Sequence, residues 1–180
     1  GAHLSLVLLL PAAGIWIWEG RRQAGRPLRG DLLAAAAAAA LGLAVYAYLP
    51  LAAATRPPVN WEDPVTPAGL WALVSGRIYQ GMLFSVRPAF LLGRAAAWVG
   101  EVARQLGGPW SAVLALAGLW RLDQRQHGWW RVTVLIALLF SVYAITYNTP
   151  DSFVYLIPAW AVLACWLAVG FDWLREALGR

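Results

Sequence analysis

Lysine is absent from this sequence, and cysteine and charged residues are scarce. All fourteen basic residues are arginine, and charged residues make up 13% of the 180 positions. The single cysteine, Cys165, lies in an apolar stretch, where a thiol behaves as a small apolar group. A disulfide within the chain and a cysteine-based metal site are therefore excluded. Apolar residues fill the composition instead, at 61% with a mean hydropathy of +0.58, which indicates a membrane protein.

Apolar stretches almost free of charge predict an all-α integral membrane protein, read here as one multi-spanning domain. A helix needs about 20 apolar residues to cross the hydrocarbon core. Five stretches approach this length: residues 2–18, 32–50, 107–121, 131–147 and 152–172. The third is short enough that a buried or tilted segment is an alternative to a span.

The long segment 51–106 predicts two interfacial amphipathic helices. Thr66 before Pro67 is a typical helix start, and the apolar residues that follow recur every four positions over 67–84. A second helix over 88–105 has a polar stripe that includes Arg94 and Glu101. Because a charge at the centre of a span costs about 2.5–3.5 kcal/mol on insertion scales, we expect both helices to lie flat at the membrane surface.

The distribution of arginine predicts the orientation of the chain. Basic residues cluster in three places, at 21–29, at 121–131 and at 175–180. The positive-inside rule puts these clusters in the cytoplasm, and segment 51–106 and the turn from Tyr147 to Ser152 outside. The charge thus concerns orientation and lipid headgroups, and no nucleic-acid partner is expected. Since the chain opens on glycine with no basic segment before its first apolar run, we expect a fragment of a longer protein.

The sequence YAYLPLAAATRPPVNWED, residues 46–63, contains the first group of candidate site residues. Pro50 is expected to stop the second span. The backbone at Arg56 is expected to be extended because two prolines follow it. Asn60, Trp61 and the adjacent pair Glu62-Asp63 come next, and neighbouring side chains on an extended arm point in different directions. A carboxylate there suits acid/base or metal chemistry. The alternative is that Asp63 caps a turn before Pro64 and that Glu62 is solvated.

The sequence YNTPDS, residues 147–152, contains the second group. The turn is so short that Asn148 and Asp151 stay close to the bilayer edge. Asp151 either caps the helix that begins at Ser152 or Phe153 or binds a ligand, and one residue can do both. His3 has the chemistry to bind a phosphate or a metal, but a satisfied interfacial histidine is the favoured interpretation. Most of the twelve tryptophans fall near predicted interfaces, which leaves Trp61 and Trp71 as stacking candidates.

Three motifs carry a resemblance to a known family: YAYLPLAAATRPPVNWEDP, the stretch from Trp71 to Tyr79, and YNTPDSFVYLIPAW. They resemble a bacterial family of multi-spanning membrane proteins of unknown function that is related to the animal transmembrane protein O-mannosyltransferase. That family belongs to the GT-C glycosyltransferases. His3 before LSLVLLLPA also fits the family pattern. The chain departs from it at Ala52, where an arginine is expected, and at Glu62, where a glycine is expected.

The resemblance implies a multi-pass enzyme of the bacterial inner membrane. Such an enzyme transfers a sugar from a polyprenyl-phosphate donor to an extracytoplasmic protein or glycan acceptor. The catalytic aspartate of the class lies in an outer loop expected upstream of this chain, so no catalytic residue, metal ligand or cofactor is assigned. The positions carried over as lining the site, which we expect to converge, are Arg56, Asn60, Trp61, Asp63, Tyr147, Asn148 and Asp151.

Two other functions fit the sequence: a transporter or channel subunit, and a membrane packing segment without a site. A transporter is expected to have ionisable groups or broken helices near the bilayer midplane, and Pro11 and Pro158 are the interior hints of a broken helix. Instead, polar residues gather at one predicted face of the bilayer, as an enzyme acting on a lipid-linked substrate requires.

Overall fold

A computed structural model describes residues 4–25 and 29–179, and every regular element among them is helical. His3, a candidate in the sequence, lies outside these ranges. Three short 3-10 helices, at Leu4–Leu9, Val45–Ala47 and Ser152–Leu156, run directly into the α-helices that follow them. The α-helices are α1 (Leu10–Ala24), α2 (Arg29–Ala44), α3 (Tyr48–Ala54), α4 (Pro67–Val74), α5 (Arg77–Gln80), α6 (Pro88–Gln105), α7 (Trp110–Arg125), α8 (His127–Thr146) and α9 (Ile157–Leu178).

Three helical segments of the described chain are long and apolar enough to cross a membrane: Arg29–Ala54, His127–Thr146 and Ser152–Leu178. They correspond to the second, fourth and fifth predicted spans and support the assignment to membrane proteins. The first and third predicted spans are not confirmed. Helix α7 has 16 residues, or about 24 Å at about 1.5 Å per residue, which is shorter than a hydrocarbon core of about 30 Å.

The second predicted span does not stop at Pro50, and this prediction is wrong. The helical segment continues through Pro50 to Ala54. A 3-10 turn at Val45–Ala47 precedes α3, so Pro50 falls in the first turn of a new helix. Proline is tolerated there because its missing N–H has no helical acceptor to lose.

The chain divides into two compact units, a small unit of residues 21–81 and a large unit of residues 1–20 and 82–180. In the small unit, Thr66 caps α4 as predicted, with its Oγ1 accepting a 3.1 Å hydrogen bond from the Gly69 amide. The predicted single helix over 67–84 is wrong. Gly76 adopts a left-handed conformation with φ of 61°, which ends α4 and starts the short helix α5.

In the large unit, α8 packs antiparallel to α9 and to α1. Phe140 and Ala144 of α8 form a buried cluster with Leu156 and Ala159, and Leu8 and Leu9 pack against it. Toward the other end of α8, Trp166 donates a 3.0 Å hydrogen bond to Thr133. At the start of α8, Arg131 forms a 2.7 Å ion pair with Glu19 of α1, and the rings of Trp16 and Trp129 lie 4.5 Å apart.

Helices α7 and α9 run parallel and touch through glycine. A Cβ added at Gly118 would collide with the backbone at Trp166, and one added at Gly170 would collide with the Leu114 carbonyl. Small residues allow helix backbones to approach this closely inside membranes. Ala115 lies in a buried cluster with residues of the first half of α9, while Arg121 reaches Glu176 near its end, which gives the parallel direction.

Helix α6 packs along α8, and its C-terminal end reaches the buried cluster between α7 and α9. Arg94 contacts the end of α8, Trp98 packs against the Phe140 cluster, and Val102 and Leu106 pack against the cluster around Ala115. The expectation that this helix lies flat at the membrane surface is not confirmed. Gly107 and Gly108, with φ of 86° and 122°, break the chain between α6 and α7.

Candidate functional site

The first candidate loop contains a tight turn from Asn60 to Asp63, and the predicted extended arm is wrong here. The Asn60 side-chain amide donates a 2.7 Å hydrogen bond to the Asp63 carboxylate. Glu62 and Asp63 both have positive φ, of 57° and 40°. Such a conformation is strained for a residue with a side chain, and strained backbone persists where surrounding contacts hold it. The Asp63 carboxylate therefore makes a hydrogen bond within the turn, and its partner is the Asn60 side chain.

The start of α4 packs directly against this turn. A Cβ at Gly69 would collide with the Asp63 carbonyl and would lie 2.7 Å from the Glu62 carbonyl. Glycine at this position thus allows the turn to pack against the helix that Thr66 caps. The hydrogen bond holds the Asp63 carboxylate, and the close contact with Gly69 holds the backbone of the turn.

The turn presents an aromatic ring beside its carboxylates. Trp61 is 62% exposed, Asp63 is exposed, and Asn60 is exposed as well. Arg56 is also exposed, and its φ of 52° turns the chain at the end of α3. The predicted extended form is therefore wrong at Arg56, because this residue occupies the position after a helix where a left-handed conformation reverses the chain.

The second candidate loop begins inside an aromatic cluster. Tyr147 is 3% exposed, so its ring is part of the core of the large unit. The ring stacks on Tyr143 at a centroid distance of 5.0 Å and meets Tyr155 edge-on at 5.5 Å. The Tyr147 ring therefore packs on the buried side of the loop, and the neighbouring polar residues lie on the exposed side.

Arg94, predicted from sequence to lie in a polar stripe at the membrane surface, holds this loop in place. Its guanidinium donates hydrogen bonds to the carbonyls of Ile145 at 2.6 Å, Ala144 at 2.8 Å and Tyr147 at 3.0 Å, and to the Ser152 hydroxyl. Helix ends leave carbonyls without helical partners, and a cation is favourable at the negative end of the helix dipole. An arginine within an apolar helix is the signal that points to such a role.

Asn148 and Asp151 lie on the exposed side of the same turn. The Asn148 amide donates a 3.0 Å backbone hydrogen bond to the Met82 carbonyl, which ties the turn to the segment before α6. Asp151 precedes the 3-10 helix Ser152–Leu156, but its side chain makes no capping hydrogen bond. The prediction that the carboxylate caps this helix is therefore wrong. Asp151 contributes to the start of the helix only through its backbone carbonyl, which accepts a hydrogen bond from the Val154 amide.

A second set of polar atoms lies inside the large unit. The Trp98 and Trp160 indole nitrogens and Glu101 Oε2 are buried without a hydrogen-bond partner in the described structure. Trp98 and Trp160 pack against the same buried cluster around Phe140. Buried polar atoms without partners are uncommon in proteins and suggest a place where a ligand or water binds.

The described residues contain no group of three or more His, Cys, Asp or Glu side chains placed to hold a metal ion. The fold and the three long apolar helices define the class as helical membrane proteins. Comparison with protein-family models, with curated proteins and with solved structures found no match.

Proposed function

We propose that this chain is part of a GT-C-like membrane glycosyltransferase related to the protein O-mannosyltransferases. The proposed reaction transfers a sugar from a polyprenyl-phosphate donor to an extracytoplasmic protein or glycan acceptor, in the inner membrane of a bacterium. The membrane supplies the donor, and the catalytic residue is proposed to lie upstream of this chain. The resemblance of three sequence motifs to that family motivates the proposal.

The observation that carries the proposal is the turn from Asn60 to Asp63. It places an exposed indole next to two carboxylates, and it follows directly on a segment long and apolar enough to cross a membrane. Aromatic rings pack against the apolar faces of sugars, and carboxylates accept hydrogen bonds from sugar hydroxyls. A donor whose lipid tail is in the bilayer would present its sugar at this depth.

The second loop supplies a separate set of polar groups to this proposal. Asn148 and Asp151 are exposed at the end of α8, a helix long and apolar enough to cross a membrane. Arg94 and the tyrosine cluster fix this turn without using the exposed amide or carboxylate. A turn whose backbone is held in place loses less entropy when its exposed amide and carboxylate bind hydroxyl groups.

The proposal predicts that Asp63→Asn and Asp151→Asn each reduce sugar transfer in the complete protein. Loss of a hydrogen bond to a charged group costs about 1.5–3 kcal/mol, which corresponds to a rate reduction of about ten- to a hundredfold. The assay measures transfer from a polyprenyl-phosphate sugar at equal amounts of each variant in membranes. Asp123→Asn is the matched control, since Asp123 lies on α7, pairs with His127 at the start of α8 and is outside both loops. Parental activity in both loop variants would contradict the proposal.

A transporter is the second candidate, and one observation favours it. Glu101 Oε2 is buried without a partner, and α6 ends a turn later at the Gly107-Gly108 break. Broken helices and buried ionisable groups are typical of transport sites. Proteoliposomes that contain the parent protein would then take up a solute, and Glu101→Gln would abolish this uptake. That result, together with no sugar transfer by the parent, would favour a transporter over a transferase.

A further inference from the structure

A cavity between α7 and α9 is lined by none of the candidate site residues. Its volume is about 350 Å³, within the range of small-molecule sites. Its lining combines charged and polar side chains with apolar ones: Arg121, Leu122, Arg125, Gln126, Ala168, Val169 and Asp172.

The charges around this cavity leave a positive excess. Glu176 accepts hydrogen bonds from Arg121 at 2.7 Å and from Arg125 at 3.2 Å, so one carboxylate is shared by two guanidinium groups. Asp172 pairs with Arg175 at 2.8 Å. Three arginines against two carboxylates therefore leave one positive charge, on the two arginines that line the cavity. A phosphodiester carries one negative charge and would neutralise it.

Arg121 also has unused hydrogen-bonding capacity. Its Nε is buried without an acceptor in the described structure, although its terminal nitrogen Nη2 is paired with Glu176. A guanidinium presents five N–H donors in a planar arrangement that matches phosphate oxygens. A phosphate that enters the cavity would supply the missing acceptor after a small movement of the side chain.

We propose that this cavity binds a phosphate group, with the headgroup of an anionic phospholipid as the ligand that fits it best. Arg121 and Arg125 bind the phosphate, the Gln126 amide meets headgroup hydroxyls, and the apolar wall at Leu122, Ala168 and Val169 contacts the glycerol and upper acyl chain. Basic pockets between membrane helices bind such headgroups. This inference is independent of the proposed sugar transfer.

The test measures binding of short-chain phosphatidylglycerol to the full chain in detergent by isothermal titration calorimetry. Arg121→Gln should weaken binding by about ten- to a hundredfold, as expected for loss of a charge-assisted contact. Arg131→Gln is the control, because it also removes one Arg–Glu ion pair but does not line the cavity; its side chain is 54% exposed, against 22% for Arg121. The control should stay within about twofold of the parent.

Two further titrations identify the source of the phosphate. Diacylglycerol of the same chain length lacks the phosphate and should not bind. If diacylglycerol binds as tightly as phosphatidylglycerol, the proposal is wrong. Inorganic phosphate should bind more weakly than the lipid. If it binds as tightly and with the same dependence on Arg121, the site is a phosphate site whose ligand is the free ion.

A gain-of-affinity variant separates the proposal from simple loss of structure. Asp172→Asn removes a carboxylate from the cavity wall and should tighten phosphatidylglycerol binding several-fold, a result that a misfolded variant does not give. Unchanged or weaker binding in Asp172→Asn, or equal losses in Arg121→Gln and Arg131→Gln, would overturn the proposal.

Discussion

At the scale of single residues, Arg94 illustrates why a charge in an apolar helix need not face water. The side chain is partly buried, its guanidinium lies 5.6 Å from the centre of the Phe153 ring, and its donors meet the carbonyls that end α8. Sequence periodicity placed Arg94 on a polar stripe, since a one-dimensional pattern contains no information about acceptors fifty residues away.

We predict that Arg94→Gln destabilises the chain by on the order of 3 kcal/mol, the upper end for hydrogen bonds to a charged group. Several carbonyls at the end of α8 lose their partner at once, and glutamine is too short to replace all of the contacts. Thermal unfolding of the full chain in detergent measures the effect.

Arg175→Gln is the control for this variant, since Arg175 is 82% exposed and pairs within α9 with Asp172, which is half exposed. Exposed ion pairs contribute about 0–1 kcal/mol. Equal unfolding temperatures for the two variants would show that the contacts of Arg94 contribute no more than a surface pair.

At the scale of helices, local signals were predicted well and long-range ones poorly. The cap at Thr66 was predicted because a hydroxyl followed by proline is a local signal. The end of α4 was missed, since the four-residue apolar repeat continues through Gly76 although the backbone reverses there. The continuation through Pro50 was missed because it depends on a 3-10 turn five residues earlier.

For the candidate site, the sequence predicted the residue types but not the backbone conformation or the burial. The residue types of both loops were identifiable from sequence, but the left-handed turn at Glu62 and Asp63 was not, because these residues rarely adopt positive φ. Burial of Tyr147 was missed for a different reason. Its environment is formed by Tyr143, one helical turn earlier, and by Tyr155, beyond the loop.

Close contact between α7 and α9 gives a prediction at this scale. Gly118→Ala should destabilise the chain by about 1–3 kcal/mol, as overpacking of a tight contact does, because the added methyl group collides with the backbone at Trp166. Gly100→Ala on α6 is the control, since nothing lies within 4 Å of the added Cβ. Denaturant unfolding of both variants in the same detergent measures the difference, and a Gly118→Ala variant as stable as Gly100→Ala would contradict the close approach.

At the scale of the whole molecule, the helices of the large unit alternate in direction. Helix α8 runs opposite to α1 and to α9, and α7 runs parallel to α9. The ends of α1, α7 and α9 rich in arginine thus lie toward the start of α8. This arrangement agrees with the proposed orientation, in which the basic ends face the cytoplasm and the turn after α8 faces outward.

The central claim is that both polar loops face the outside of the membrane, where the proposed lipid-linked sugar donor would bind. Labelling with an impermeant thiol reagent in intact cells tests it most directly. The exposed Cys165 is first replaced by alanine, and single cysteines are introduced as Glu62→Cys, Asn148→Cys and, on the opposite side, Asp123→Cys. The account predicts that positions 62 and 148 are labelled in intact cells and position 123 only after permeabilisation. Labelling of 62 or 148 only after permeabilisation would contradict it.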